Sequence, residues 1–325
     1  MRIGLIGLGV AGRRHADACV KLPGVELVAA ADPALPAESA ARELGAAWYA
    51  DYEPMLASER LDGVVVSLPH GLLSVAGIAV ARRGLHLLLE KPMGNTLAEA
   101  DAVLAAARAG GGALMVNFVH RFRAEYRSAK AAIERGAIGS PVMILDFMTS
   151  GASVLPPWVW QAEQSGGGMM MYNGVHSVDR LAWLAGSPIA RATGLAGTFS
   201  YPVDLEDNLV GCVAFRGGLG AVIQHKSTAT RTLGDWQTMI WGTRGAIKVL
   251  SGGGLEIASE KEQISLNVED DDRFLGGLIE FTSAIAAGRA PCPDGRAGRA
   301  ALAAVLGLYE AARTGRTVEI EEAEA

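Results

Sequence analysis

Cysteine is scarce: Cys19, Cys212 and Cys292 are the three in 325 residues, too few and too far apart for a disulfide scaffold or a zinc-ligand set. The expected compartment is therefore reducing, and no metal site is expected. Excess positive charge is missing as well. The formal net charge is −6, and Arg13-Arg14 and Arg82-Arg83 are isolated pairs, which argues against a nucleic-acid partner. No apolar stretch reaches the roughly 20 residues of a membrane span without charges or helix breakers. The amino-terminal apolar run is punctuated by glycines and lacks signal-peptide layout. These absences lead to the expectation of a soluble, cytoplasmic protein.

What is present suits a globular chain of two domains: half of the residues are hydrophobic and a fifth are charged. In the first part, apolar β-prone runs at 2–8, 25–31, 62–68, 85–89 and 113–118 alternate with helical segments after the first glycine turn and at 36–44, 72–83 and 96–109. Such alternation predicts βαβ crossovers and a parallel sheet, an α/β arrangement. After residue 120 a helix at 123–135 is followed by β-prone stretches at 142–148, 208–215, 219–228, 237–241 and 246–250, with turns at "FRGGLG" and at Arg244-Gly245. Helices return at 272–287 and 295–313, then a short strand near 317–320. The expected organisation is an α/β domain over 1–120 and an α+β domain built on an antiparallel sheet over 121–325, ending in the acidic tail "EIEEAEA".

The segment "GLGVAG" places Gly7, Gly9 and Gly12 in G-x-G-x-x-G spacing directly after the first strand and before a helix, with Asp32 ending the second strand. Gly7 permits the tight turn, Gly9 lets backbone approach a pyrophosphate, and Gly12 lets helix and strand pack closely. The helix start, Val10 and Ala11 included, offers N–H groups to phosphate. Asp32 accepts from a ribose diol and repels a 2′-phosphate. Pro33 follows it with no nearby base, so NAD is favoured, NADP remaining open. Leu68, Pro69 and His70 after the third strand complete this side, together with Glu90 and Lys91 of "EKP". Lys91 falls at the carboxyl end of a buried strand, where open α/β sheets bind ligands and where desolvation lowers an amine's pKa toward useful values. Pro92 fixes the strand exit, and its peptide isomer is not readable from sequence.

The motifs "GLGVAGRRHA", "GLHLLLEKPMGNTLAEAD", "SGGGMMMYNGVHSVD", "EDNLVGCVAFRGGLGAV", "WGTRGAIKV" and "GLYEAARTGRTVEI" occur in this order over nearly the whole chain. Their sequence resembles that of the Gfo/Idh/MocA oxidoreductases. The resemblance implies an N-terminal Rossmann domain, a doubly wound parallel sheet, joined to a C-terminal α+β domain with a large open, mostly antiparallel sheet that mediates dimer or tetramer formation. It implies a nicotinamide cofactor and a sugar, cyclitol or related polyol as substrate. The family's lysine falls on Lys91 and its catalytic histidine on His176. Members commonly carry an acidic residue one turn before that histidine, whereas Tyr172 stands there in this chain. A phenol with an unperturbed pKa of about 10 is a poor base at neutral pH, so Tyr172 is expected to orient His176 or the substrate, on the same helix face at i,i+4. Leu73 likewise replaces a histidine often found about four residues after the proline.

The implied mechanism sets a substrate carbinol between Lys91 and His176, one of which takes the hydroxyl proton while Lys91 stabilises the developing oxyanion. Asn117, His120 and Arg121 of "VNFVHRF", Trp160 and Asn173 join Tyr172 and His176 as expected substrate residues. Trp158 and Trp160 divide evenly between stacking on a sugar and packing in the core, and Met169–Met171 read as core or pocket wall. "EDDDR" at 269–273 reads as a solvated helix start. Two alternatives to a dehydrogenase remain at this point: a glycosidase that retains and recycles NAD, and a non-catalytic sensor of dinucleotide or sugar.

Overall fold

A computed structural model describes residues 1–151, 155–230, 233, 235–268 and 272–321. Most of "EDDDR" (269–271) and of the acidic tail (322–325) lies outside the described residues. The chain forms two compact units, one of Met1–Val119 with Asp272–Arg299 and the other of His120–Asp271 with Ala300–Ala325.

In the first unit, β1 (Arg2–Ile6), β2 (Glu26–Ala31), β3 (Ala47–Tyr49), β4 (Gly63–Val66), β5 (His86–Leu89) and β6 (Leu114–Val116) form a parallel sheet in the order β3-β2-β1-β4-β5-β6. Helices α1 (Val10–Lys21), α2 (Leu35–Glu43), α3 (Tyr52–Ser58), α4 (His70–Ala81) and α5 (Leu97–Gly110) connect the strands. Val64–Val66 and Leu87–Leu89 are wholly buried, which explains why these strands read as unbroken apolar runs rather than alternating ones. β3 and α3 escape the sequence reading because each is too short to display a period. Asp51 starts α3 by accepting from Glu53 N at 2.9 Å, and Thr96 starts α5 by accepting from Glu99 N at 3.2 Å. The strand order reverses between β1 and β4, so the crevice beyond their carboxyl ends is the ligand position of this topology.

The second unit is built on nine strands in the order β14-β13-β12-β11-β7-β10-β9-β8-β15. They are β7 (Pro141–Gly151), β8 (Ile189–Gly197), β9 (Asn208–Phe215), β10 (Gly220–Thr228), β11 (Asp235–Gly242), β12 (Gly245–Leu250), β13 (Gly254–Ser259), β14 (Gln263–Asn267) and β15 (Val318–Glu319). The β7–β10 pair is parallel and the others are antiparallel. Ile144, Asp146 and Met148 of β7 alternate onto one buried face. The turn expected at Arg244-Gly245 sits one residue earlier, on Thr243-Arg244, since Gly242 pairs with Gly245. Helix α6 (Ala124–Glu134) precedes β7, and α7 (Ala162–Ser165) and α8 (Val175–Ala185) follow it.

Helix α9 (Arg273–Ala286) and the first residues of α10 (Gly295–Thr314) belong to the first unit. A single cut after residue 120 omits this return. Its physical cause is visible within the unit: Phe274 of α9 packs edge-on against His15 of α1, and the exposed edge of β6 is met by the Met115–Asp294 bridge and by Val116 N donating to Pro293 O. Among the described residues no helix is long and apolar enough to cross a membrane.

Candidate active site

Gly7 follows β1 with φ +92°, and a side chain there would collide with the Ser67 carbonyl. A side chain at Gly12 would collide in turn with the Gly7 carbonyl, so the α1 start is drawn tightly onto the strand end. Gly9 has open space where a Cβ would lie, and α1 has no side-chain cap on its first turn. Val10 is exposed and Ala11 half-buried beside it. This is a backbone cradle with its helix N–H groups available for an anion. Asp32 is held rigidly just beyond β2: its carboxylate accepts from Leu8 N at 2.7 Å and Ala34 N at 2.9 Å, and its carbonyl from Trp48 Nε1 at 3.1 Å. Each carboxylate oxygen keeps acceptor capacity for a diol. Pro33 is exposed beside it; Leu68 and Pro69 are half-buried beyond β4, and His70 is buried at the start of α4. These residues fit a dinucleotide.

Glu90 and Lys91 leave β5 in opposite manners. The Glu90 carboxylate turns inward and is buried, receiving Asn117 Nδ2 at 2.6 Å and meeting His15 Nε2 at 2.9 Å. Asn117, expected beside a substrate, is fully buried in this contact, and Glu90, expected at the cofactor, is buried with it. A buried carboxylate must find donors, and these two side chains supply them. Burial works to raise the Glu90 pKa, but His15, Lys91 and Asn117 outweigh it and hold the group below the usual carboxylate range. Lys91 is half-buried; burial draws its amine down to about 8, against the opposing pull of the Glu90 charge. The Lys91–Pro92 peptide is cis.

In the second unit the glycine-methionine segment is wound into a π-helical turn, Met170–Gly174, that runs directly into α8. Glu206 makes this turn possible. Its carboxylate accepts from Gly168 N at 2.7 Å and Met170 N at 2.8 Å, its carbonyl from Met169 N at 3.0 Å, and Tyr309 Oη donates to it at 2.8 Å while accepting from Met171 N at 2.9 Å. Met169, Met170 and Met171 are core residues, at most 1 % exposed. The regular α spacing that would align Tyr172 with His176 is interrupted by the π turn. Tyr172 meets Trp158 edge-on at 5.8 Å, whereas His176, in the first turn of α8, stacks on His120 at 4.3 Å. Asn173 is half-buried on the same turn, and Trp160 packs against Tyr201 at 4.5 Å. Glu206→Ala strands two backbone donors and the Tyr309 hydroxyl. It is expected to lower stability by about 1–3 kcal/mol and to speed amide exchange across 168–174; unchanged exchange there would contradict the role.

Beneath His176 lies a buried polar layer. Arg180, one turn along α8, pairs with Asp146 of β7 and donates to His120 Nδ1 at 2.8 Å. A guanidinium only donates, so His120 accepts at Nδ1 and carries its proton on Nε2. Thr238 Oγ1 donates to Asp146 at 2.6 Å. His225 of β10 is buried on the same sheet face, and burial keeps it neutral, its pKa drawn down to about 3. Arg121, expected at the substrate, grips Asp179 through two bonds of 2.9 and 2.6 Å, with its guanidinium over Trp183. Asp179 is thereby buried against Arg121. His15, Asp146, Arg180, Glu206, His225 and Tyr309 were not singled out from sequence. The "RRHA", "EDN" and "GLYEA" motifs contain three of them, but no motif shows that Glu206 and Tyr309 meet. Among the described residues no cluster of His, Cys, Asp or Glu has the arrangement of a metal site.

Comparison with known proteins agrees with this geometry. Residues 1–118 match the family model described as "Oxidoreductase family, NAD-binding Rossmann fold", and residues 126–248 match "GFO/IDH/MocA C-terminal domain". The chain is similar to 1,5-anhydro-D-fructose reductase from Ensifer adhaerens, at 27% identity covering 98% of each chain. It is also similar to scyllo-inositol 2-dehydrogenase (NAD(+)) from Bacillus subtilis, at 27% identity over 76% of this chain and 73% of that one. In structure it resembles levoglucosan dehydrogenase in complex with NADH, with a TM-score of 0.90 and 21% identity covering 99% of this chain and 100% of the other.

Proposed function

The chain belongs to the Gfo/Idh/MocA oxidoreductase family, and from that premise we propose that it moves a hydride between NAD and a ring carbinol or ketone of a sugar or cyclitol. The observation that carries the reading is Lys91, a half-buried amine at the carboxyl end of β5 whose pKa is drawn to about 8. The dinucleotide would rest on Gly7–Gly12 and Asp32. The relatives named for an anhydro-sugar and for inositols support a ring polyol as substrate class.

When bound, the nicotinamide supplies the hydride acceptor or donor. The residues of the chain handle the proton. Neutral Lys91 Nζ accepts the hydroxyl proton in oxidation, and its ammonium form donates to the carbonyl oxygen in reduction. His176 and Tyr172 are assigned to substrate binding in the second unit, on a turn made rigid by Glu206 and Tyr309. Tyr172 supplies a hydrogen bond there in place of a carboxylate charge.

The pH dependence tests this reading. In oxidation the active form is the neutral amine, so kcat rises with pH through about 8; in reduction the ammonium is active, so kcat falls through the same value. Profiles measured in both directions with a polyol and its ketone check it, and two flat profiles would contradict it. We also infer that a second copy covers the outer sheet face, where Met143, Leu195 and Val210 expose apolar surface. Light scattering giving a dimer or tetramer mass supports this, and a monomer mass opposes it.

A further inference from the structure

His15 lies on the helix that opens the dinucleotide cradle, one turn past Gly12, and it is 1 % exposed. Its ring is fixed from two sides. Nε2 sits 2.9 Å from Glu90 Oε1, and Phe274 of α9 meets the imidazole edge-on with centroids 4.9 Å apart, under the Arg14 guanidinium. Asn117 Nδ2 reaches the same carboxylate oxygen at 2.6 Å. The other oxygen accepts from the backbone N–H of Lys91 at 3.2 Å. Three donors from three places in the chain thus converge on one buried carboxylate, and one of them is the peptide of the lysine itself. Such convergence offsets the desolvation of the anion and leaves it a single geometry.

We propose that His15 is a positioning residue for Lys91, acting through Glu90: it keeps the carboxylate ionised and seated against the Lys91 peptide, so that the phosphate-binding helix and the strand end bearing the amine are held as one piece. The inference rests on the reading of Lys91 as the proton-handling amine. The charged or titratable groups acting on the carboxylate are His15 and Lys91, with the Asn117 amide beside them. The sign of the coupling follows from charge. The Glu90 anion favours the ammonium form of Lys91 and opposes the burial that depresses it. Without the His15 donor the carboxylate is no longer seated against the Lys91 peptide, its field at the amine weakens, and Lys91 gives up its own proton at lower pH.

Competitive acetylation tests this without turnover. The full-length protein is treated with trace acetic anhydride over a pH series, and the Lys91 peptide is quantified by mass spectrometry. The wild-type midpoint is expected near 8. Glu90→Gln removes the charge and is expected to lower the midpoint by about one unit, and His15→Leu removes the donor and is expected to lower it by about half as much. His15→Gln retains a donor of similar reach and is expected to stay within about 0.3 units of wild type. If His15→Leu does not fold, His15→Asn, too short to reach Glu90, takes its place. A midpoint moved by Glu90→Gln but unmoved by loss of the His15 donor would overturn the proposal, as would unmoved midpoints in both. A Lys91→Ala protein that still oxidised a polyol would remove the underlying reading of Lys91 and leave the labelling midpoints as they are, so the two failures are separable.

Discussion

Lys91→Ala is expected to lower the rate of polyol oxidation by about a thousandfold, within the usual range for loss of a general base, while NAD affinity changes by less than about threefold. The asymmetry follows from where the atoms are. The dinucleotide cradle is backbone at Gly7–Gly12 and the Asp32 carboxylate, and Asp32 is anchored by Leu8 and Ala34 rather than by Lys91. The Glu90 carboxylate is held by His15, Asn117 and the Lys91 peptide N–H, all of which survive truncation of the side chain. What disappears is the amine drawn to about 8. Lys91→Arg is expected to be nearly as inactive in oxidation, since a guanidinium does not give up its proton in this range. Steady-state rates and a calorimetric NAD titration on the same preparations check both variants. Turnover retained by Lys91→Ala would remove the assigned role.

The second large effect is on stability. Arg180 and Asp146 are both fully buried and paired, and Thr238 and His120 add one hydrogen bond each. Asp146→Ala leaves a guanidinium in the core without its carboxylate, and the expected loss is about 3–5 kcal/mol. Replacing both partners together, Asp146→Leu with Arg180→Met, is expected to recover most of that loss, because the penalty comes from the orphaned charge and not from absence of the pair. Urea unfolding followed by tryptophan fluorescence measures this. A single variant within about 1 kcal/mol of wild type would mean that the pair is open to water.

The parallel sheet was legible because its strands are buried on both faces, so Val64–Val66 and Leu87–Leu89 announce themselves as apolar runs, and because the glycine turn has a spacing that few other structures need. Strand β8 was not legible: "IARATGLAG" carries small residues and no clean alternation, and it is a strand because β9 pairs along its length. The same distinction governs the site. The places of Lys91 at the end of β5 and of His176 at the start of α8 were readable from local motifs. The π turn before His176 depends on Glu206, more than thirty residues away, and on Tyr309, farther still, so no local spacing announces it. Arg121 and Asn117 were assigned to substrate as polar residues near a domain junction. Their contacts with Asp179 and Glu90 are set by tertiary packing that no periodicity encodes.

The most direct measurement is the stoichiometry of NADH formed to polyol oxidised, followed by absorbance and product analysis with excess NAD across inositols, anhydro-sugars, aldoses and glycosides. The account predicts one NADH per carbonyl formed on at least one ring polyol. Glycoside cleavage without net NADH, or bound NAD with no NADH from any member of the panel, would contradict it.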